Sequence, residues 1–309
     1  MTELSRKILA HYQIRKGLGR KRAFLEFVSS ALEGEGYCPR VELSRALFMS
    51  RNLVLGDPER AKLIFTAHYD TCAAMPLPNF ITPKNVPLFM LYQFSLAALI
   101  VLSAIGIAYL PVLFGWTGGF FLPLFSLVMI AFSGLLVFGP ANKHTANDNT
   151  SGVIGVLETA LALPPERRGD VAFVLFDNEE LGVLGSACFA LKHPRARREA
   201  VVLNLDCVSD GDTILLALPK NCPDGLERRL RACFVPSAGK RIEIGYAKET
   251  FYPSDQVNFR KGVGIAALQR TKRGLLYLDR LHTERDVIFD ESNIEFIKNA
   301  LLKMAEETI

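Results

Sequence analysis

The sequence predicts an α/β protein with a mixed, mostly parallel sheet flanked by helices and interrupted by an inserted apolar helical hairpin. Strand-like runs such as "GDVAFVLFDNEE" and "EAVVLNLDCV" alternate with helical segments in the second half of the chain. This order is typical of parallel sheets with helices on both faces. The hairpin is predicted because residues 85–142 hold no Asp, Glu, Lys, Arg or His, a gap of 58 residues.

The N-terminal segment is predicted to be helical over residues 5–33 and to stop at Gly34 and Gly36. Its run "RKGLGRKRAF" has no aromatic interleaving and matches no nucleic-acid motif, so the sequence argues against a nucleic-acid partner. We interpret the run as a solvated helix face, with contact to anionic lipid headgroups as the alternative. No apolar segment of signal-peptide length begins the chain, and none of its six cysteines forms a CxxC pair. Reduced thiols in a cytoplasmic domain are therefore expected.

Short strands separated by the turn "GDPE" are predicted next, and the last of them, "KLIFTAHYD", passes from buried to polar. After the apolar block, "NTSGVIGVLETALALPP" predicts an amphipathic helix and "GSACFALKHP" a second helix. The segments "DTILLAL", "GVGIAALQRT" and "GLLYLD" read as strands or strand-like approaches to "RLHTERD". Residues 291–307 are predicted to form the final helix.

Two segments of the apolar block, Leu88–Leu110 and Phe120–Phe138, are long enough to cross a membrane. At ~1.5 Å per residue they span ~35 Å and ~29 Å, against a hydrocarbon core of ~30 Å. Residues 85–142 are therefore predicted to be a transmembrane hairpin that contacts the lipid bilayer through residues 86–139. The alternative is a lid or an oligomer interface in a soluble protein, but soluble helices normally carry a polar stripe.

Both ends of a hairpin emerge on the same side of a membrane. Residues 1–84 and 143–309 are therefore expected to form one discontinuous domain in one compartment. The basic flanks Lys84 and Lys143 agree with the cytoplasmic side. We expect an integral membrane protein whose globular domain is cytoplasmic. The oligomeric state is left open by the sequence.

Acidic and histidine side chains recur at the ends of predicted strands and in neighbouring loops. Each alone is typical of a turn, a helix start or a core histidine. Together they point to one site, because the carboxyl ends of parallel strands meet at one edge of a sheet, and carboxylates there are costly unless paired or metal-bound. Histidines and carboxylates without cysteine suit zinc, cobalt or manganese, and the number of acids favours two ions sharing a bridging carboxylate. The candidates are His68, Asp70, Asp148, Glu179, Glu180, Asp206 and His282.

The order of these motifs resembles metallopeptidase family 28, the dizinc aminopeptidases of the bacterial leucyl aminopeptidase type. The family's H-x-D, D-N-x-S-G, Glu-Glu with G-x-x-G-S, strand-borne Asp and late His stand here as "HYD", "DNTSG", "NEELGVLGS", "NLD" and "LHT". The resemblance implies a zinc-exopeptidase fold, two zinc ions (or Co²⁺ or Mn²⁺), and hydrolysis of N-terminal residues from peptides through a metal-bridging hydroxide. It implies the following roles: His68 and Asp206 on one metal, Glu180 and His282 on the other, Asp148 bridging, Glu179 as general base, and Asp70 orienting His68.

Two features depart from the family pattern. The segment "YPSDQVNF", with Ser254, Asp255 and Gln256, resembles the Ser-Asp-His segment beside the family's substrate pocket, but Gln256 replaces the usual His. The interval from His68 to Asp148 is much longer than in soluble relatives, because the apolar block lies within it.

Together with the apolar hairpin, the resemblance thus implies a membrane-anchored, zinc-dependent aminopeptidase acting on peptides with a free N-terminus. Glutaminyl cyclase-like, carboxypeptidase and dipeptidase activities on the same fold are alternatives that the ligand set leaves open. A non-catalytic receptor or scaffold would have lost a ligand or the base, and none is lost here. A transporter is disfavoured because the two apolar segments carry no ionisable residue for an ion path.

Overall fold

The computed structural model describes residues 1–116, 119–237 and 239–307, and within them the strands form one mixed sheet. The strands are β1 (Arg40–Arg45), β2 (Met49–Leu55), β3 (Leu63–His68), β4 (Val171–Phe176), β5 (Val201–Leu205), β6 (Thr213–Ala217), β7 (Arg241–Gly245), β8 (Lys261–Arg270) and β9 (Leu276–Tyr277). Their order is β1-β2-β4-β3-β5-β8-β6-β7, with β9 paired to β8.

The centre of the sheet is parallel. Strands β4, β3, β5 and β8 run in the same direction, whereas β2, β6 and β9 join antiparallel. Every residue of β3 and β4 is buried, as expected of central parallel strands with both faces covered. The predicted α/β fold with a mixed sheet flanked by helices is confirmed.

Helices cover the sheet and also form the apolar insertion. Those described are α1 (Glu3–His11), α2 (Leu18–Gly34), α3 (Val86–Leu113), α4 (Phe121–Phe138), α5 (Gly152–Ala162), α6 (Leu184–Lys192), α7 (Pro194–Glu199), α8 (Leu226–Cys233) and α9 (Glu291–Glu306). The sequence did not predict α7, α8 or β7. The prediction that α5 is amphipathic is wrong, because α5 packs against α9, β3 and β5 and is buried along nearly its whole length.

The basic N-terminal run is not one solvated helix face. Arg15 lies in the loop between α1 and α2 and is fully buried, and Lys21 forms an ion pair with the buried Asp177. Arg20 and Arg22 are exposed, as the sequence predicted. The prediction fails for Arg15 and Lys21 because the loop and the start of α2 lie against the carboxyl edge of the sheet. There Arg15 donates to a carbonyl and a hydroxyl oxygen, and Lys21 to a carboxylate oxygen.

The apolar block forms two helices that are long and apolar enough to cross a membrane. The first extends past the predicted end at Leu110, through Pro111, to Leu113. Ala104 and Ala108 are almost fully buried, whereas most of the other side chains of α3 and α4 are exposed. Small residues four positions apart let two helices approach closely in a membrane. The predicted connection between the helices includes residues 117–118, which lie outside the described residues.

The C-terminal end of the insertion lies beside the residues that follow β3. Ala73 and Ala141 form an antiparallel bridge, and the backbone N–H of Ala74 donates to the carbonyl of Pro140 at 2.8 Å. The chain therefore returns from α4 beside the residues that follow β3.

Candidate metal centre

The predicted ligands gather at the carboxyl edge of the central strands. His68 is the last residue of β3, and Asp206 directly follows β5. Glu179 and Glu180 lie in the loop after β4. Because these strands are parallel neighbours, their ends deliver the side chains to one place.

Asp148 comes from the loop that precedes α5. Its backbone N–H donates to the carboxylate of Asp286 at 3.0 Å, and the N–H of Asn147 donates to the same carboxylate at 2.9 Å. Gly152 lets this loop pack closely, because a Cβ there would lie 2.4 Å from the carbonyl oxygen of Leu205. The glycine of "DNTSG" therefore brings Asp148 next to the strand that carries Asp206.

Asp148 stands between the two histidines. Its Oδ1 lies 3.4 Å from Nε2 of His68, and its Oδ2 lies 3.1 Å from Nε2 of His282. On one side, His68 Nε2 is 3.5 Å from Oδ1 of Asp206; on the other, His282 Nε2 is 3.3 Å from Oε2 of Glu180. The five side chains thus form two adjoining groups that share the carboxylate of Asp148.

These separations fit metal coordination. Two ligand atoms bound to one tetrahedral zinc at about 2.0–2.2 Å lie roughly 3.3–3.6 Å apart. Among the described residues, Oε1 of Glu180 is buried and has no hydrogen-bond partner. Buried polar atoms are rarely left unpaired, so a donor set of carboxylates and imidazoles that includes such an atom suits a divalent cation.

Asp70 holds the loop of the glutamate pair. Its carboxylate accepts hydrogen bonds from the backbone N–H groups of Glu179 at 3.0 Å and Glu180 at 3.3 Å. The same carboxylate lies 3.7 Å from Nδ1 of His68, whose ring nitrogen also lies 3.2 Å from the Asp70 carbonyl oxygen. Asp70 therefore positions both a histidine and the glutamates, which is the arrangement that fixes ring orientation in metal sites.

Burial and charge within the cluster shift the pKa values of its own side chains. Burial raises the pKa of Glu179 well above its usual value; His68 opposes this shift, and the carboxylates of Asp206 and Asp255 add to it. Burial lowers the pKa of His282, but the carboxylates of Glu180 and Asp148 outweigh it and raise the pKa to about 9. Glu179 therefore holds a proton more readily than an ordinary glutamate, as a group that accepts and returns protons requires.

Three residues beside the cluster were not predicted from the sequence. Sγ of Cys72 lies close to ligand atoms of Glu180 and His282, and Sγ of Cys207 donates to Oδ1 of Asp206 at 3.2 Å. The third is Asp286, which follows His282 in "LHTERD". Asp286 could have been suspected from the sequence, because it is an acidic residue in the same short loop as His282. Nothing in the sequence singled out Cys72 or Cys207.

The segment predicted to flank the substrate pocket divides into two parts. Ser254, Asp255 and Gln256 are buried, and Nδ2 of Asn204 donates to the side chains of Ser254 and Gln256 at 3.1 Å each. The residues just before them, 251–253, line the cavity that contains the metal cluster, a cavity of about 210 Å³. Ser254, Asp255 and Gln256 therefore lie behind the cavity wall, which residues 251–253 form.

Residues 131–305 match the model of peptidase family M28, and this region is more than half of the chain. The chain belongs to this family. No curated protein matches the sequence. In this M28 chain, the motif around His68 precedes the matched region and those around Asp148, Glu180, Asp206 and His282 lie within it.

Solved structures share the M28 fold at low identity. The Legionella pneumophila LapA aminopeptidase matches with a TM-score of 0.58 and 12% identity, over 99% of this chain and 68% of that one. The Porphyromonas gingivalis glutaminyl cyclase has a TM-score of 0.61 and 16% identity, over 99% of this chain and 96% of that one. A Zn-dependent exopeptidase from Parabacteroides distasonis has a TM-score of 0.58 and 13% identity, over 98% of this chain and 94% of that one. These likenesses show the fold.

Proposed function

We propose that this M28 chain is a membrane-anchored, zinc-dependent aminopeptidase that removes N-terminal residues from peptides at the bilayer surface. The observation that carries the proposal is the position of Asp148, whose two oxygens each face a different histidine. Five ligand side chains exceed the four of one tetrahedral zinc, and sharing Asp148 between two ions uses all five. The Parabacteroides relative is a Zn-dependent exopeptidase, which supports the choice of metal and reaction.

His68 and Asp206 would hold one ion, Glu180 and His282 the other, and Asp148 both. Zinc ions bound there would lower the pKa of water and polarise the scissile carbonyl.

The protein's own groups then move the proton. Glu179 lines the same cavity as the ligands and has a raised pKa, so its carboxylate takes the proton of the attacking water and returns it to the leaving amine. Asp70 keeps Glu179 in place through the backbone hydrogen bond. The carboxylates around the cavity favour a positively charged amino group, which suits a substrate with a free N-terminus.

Membrane anchoring is supported by the unburied apolar surface of α3 and α4. Large exposed apolar patches on a soluble protein mark interaction surfaces, and two helices without a charged residue suit lipid. Lys143 is exposed beside α4, and Nζ of Lys16 donates to the carbonyl of Val137 in the last turn of α4. Lys84, by contrast, pairs with Glu243 at 2.5 Å, so Lys16 and Lys143 carry the argument for a cytoplasmic domain.

The activity is tested with the full chain in lipid nanodiscs. Zinc content and the cleavage of aminoacyl nitroanilides are measured for wild type and Glu179→Gln, with the exposed Glu166→Gln as the matched control. We expect kcat of Glu179→Gln to fall about 10²–10⁴-fold at unchanged zinc content, and Glu166→Gln to behave as wild type. A zinc-loaded wild type no faster than Glu179→Gln across the substrate panel would overturn the proposal.

Product analysis separates this activity from the related ones. A peptide with free N-terminal leucine, its acetylated form and a peptide with N-terminal glutamine are supplied in parallel. An aminopeptidase releases leucine from the first only, a carboxypeptidase also shortens the acetylated peptide, and a cyclase yields a pyroglutamyl product.

Anchoring is tested by washing membranes at alkaline pH with carbonate. A chain that spans the bilayer through α3 and α4 remains in the pellet, whereas release into the supernatant would contradict the anchor.

A further inference from the structure

The apolar insertion contributes to the wall of the catalytic cavity. The polar side of the cavity is the ligand cluster, and its apolar side consists of Ile81, Phe89, Phe251, Pro253 and Leu281. Ile81 belongs to the arm that leads from β3 into the insertion, and Phe89 lies in the first turn of α3. The helix proposed to enter the membrane therefore begins in the substrate pocket.

The arm before α3 is bonded to the segment that carries a metal ligand. Ile81 and Leu278 exchange backbone hydrogen bonds of 3.0 and 2.9 Å, and the N–H of Asn79 donates to the carbonyl of Leu281 at 3.1 Å. The N–H of Met75 donates to the carbonyl of His282 at 2.8 Å. The arm thus lies along the ligand-bearing segment as an added strand would, and its position relative to the cluster is fixed.

The first turns of α3 are fixed in the same way. The side chain of Asn85 accepts from the N–H of Leu88 at 3.1 Å and caps the helix. The hydroxyl of Tyr92 donates to the carbonyl of Pro78 at 2.8 Å. The ring of Phe89 packs on Phe251, with ring centroids 5.6 Å apart. The direction of α3 therefore determines where the Phe89 ring stands in the cavity.

We propose that Phe89 is the specificity-determining residue of this pocket, so that the helix that anchors the protein also selects the substrate. The Phe89 ring, together with Phe251 and Ile81, forms an apolar recess opposite the metal ligands, which fits the side chain of the first residue when that side chain is apolar. Since α3 enters the bilayer directly from this wall, the recess faces peptides presented at the membrane surface. This inference rests on the proposed aminopeptidase function for the reaction. The preference for an apolar side chain in the substrate is assigned to Phe89.

The test compares Phe89→Ala with Phe94→Ala in full-length protein in nanodiscs. Phe94 is the matched control, since it lies on the same helix and is 71% exposed. The readout is the ratio of kcat/KM for leucyl over alanyl nitroanilide. One extra methylene in an apolar pocket is worth about 10–200-fold. We therefore expect Phe89→Ala to lower the ratio at least about tenfold, Phe94→Ala to keep it, and Phe89→Leu to restore most of it.

A binding readout keeps this inference separate from the proposed function. The affinities of the zinc-loaded protein for free leucine and for glycine are measured by calorimetry. Phe89→Ala is expected to remove the preference for leucine, and Phe94→Ala to retain it. If the wild type cleaves nothing but this pattern holds, the aminopeptidase proposal fails and the pocket assignment stands. If Phe89→Ala keeps the wild-type preference in binding or in cleavage, the role of Phe89 is overturned.

Discussion

The carboxylate of Asp286 accepts a 3.0 Å hydrogen bond from the backbone N–H of Asp148. Asp286 lies four residues after His282, so a single short loop supplies one ligand and the support of another. The same carboxylate also accepts from the N–H of Asn147. The position of Asp148 between the two histidines therefore depends on Asp286, which is not in itself one of the predicted ligands.

Substitution of Asp286 is expected to weaken metal binding without abolishing it. Asp286→Asn keeps one acceptor oxygen but loses the second and the charge, so the loop of Asp148 gains freedom. Outer partners of ligands typically contribute about 10–100-fold to metal affinity. We expect a loss in this range, measured by competition of zinc with a chelating dye. The half-exposed Asp212→Asn serves as the control, and equal affinities for the two variants would contradict the assignment.

Arg15 is expected to stabilise the fold through the same edge of the sheet. Its guanidinium donates to the carbonyls of Tyr69 and Tyr12 and to the hydroxyl of Thr150, at 2.5 Å and 2.9 Å for the last two. Arg15→Met removes this donor from the carbonyls of Tyr69 and Tyr12 and one of the partners of the Thr150 hydroxyl, and a buried group left unpaired costs about 1–3 kcal/mol. We expect the free energy of unfolding to fall by about 3 kcal/mol, measured by chemical denaturation in detergent.

The exposed Arg20→Met is the matched control for this charge change and is expected to leave stability within about 0.5 kcal/mol of wild type. Arg15→Lys is expected to recover only part of the loss, because an ammonium cannot reproduce the planar fork. If Arg15→Met and Arg20→Met unfolded at the same denaturant concentration, the buried hydrogen bonds of Arg15 would not contribute to the stability of the fold.

The acidic and histidine side chains at the strand ends could be predicted because each is recognised from its neighbours in the sequence. His68, Asp206 and the two glutamates each follow an apolar run, and the topology of a parallel sheet then places such ends together. The two apolar helices were also predictable, because a charge-free run of that length needs no tertiary information.

The partners of those groups were not predictable in the same way. Arg15 looks like any cation in a basic run, and its burial depends on a loop packing against residues 54 and 135 positions away. The wall formed by Phe89 likewise arises from contact between a helix of the insertion and Phe251, far along the chain. Such contacts depend on the path of the folded backbone, which local composition does not encode.

Removal of the hairpin is expected to release the protein from the membrane. Joining Asn85 to Gly139 through a short glycine-serine linker leaves the Ala73–Ala141 bridge and the arm in place. We expect the shortened chain in the soluble fraction with its zinc content preserved, and with the preference for leucine reduced because Phe89 is absent. Fractionation and metal analysis are the measurements, with full-length protein as the reference. A shortened chain that still sediments with membranes would count against anchoring by the hairpin.

Zinc uptake is expected to release a proton from His282 at neutral pH. In the metal-free protein, burial lowers the pKa of His282, but Glu180 and Asp148 raise it to about 9, so the ring is protonated at pH 7. A bound metal requires the neutral imidazole, so the contribution of His282 should raise the affinity by about tenfold per pH unit up to about pH 9 and then level off. Calorimetry in two buffers of different ionisation enthalpy counts the protons. Zinc binding should release more protons at pH 7 than at pH 9.5. This difference between the two pH values should be smaller in His282→Asn. A number of released protons that does not depend on pH would refute the raised pKa of His282.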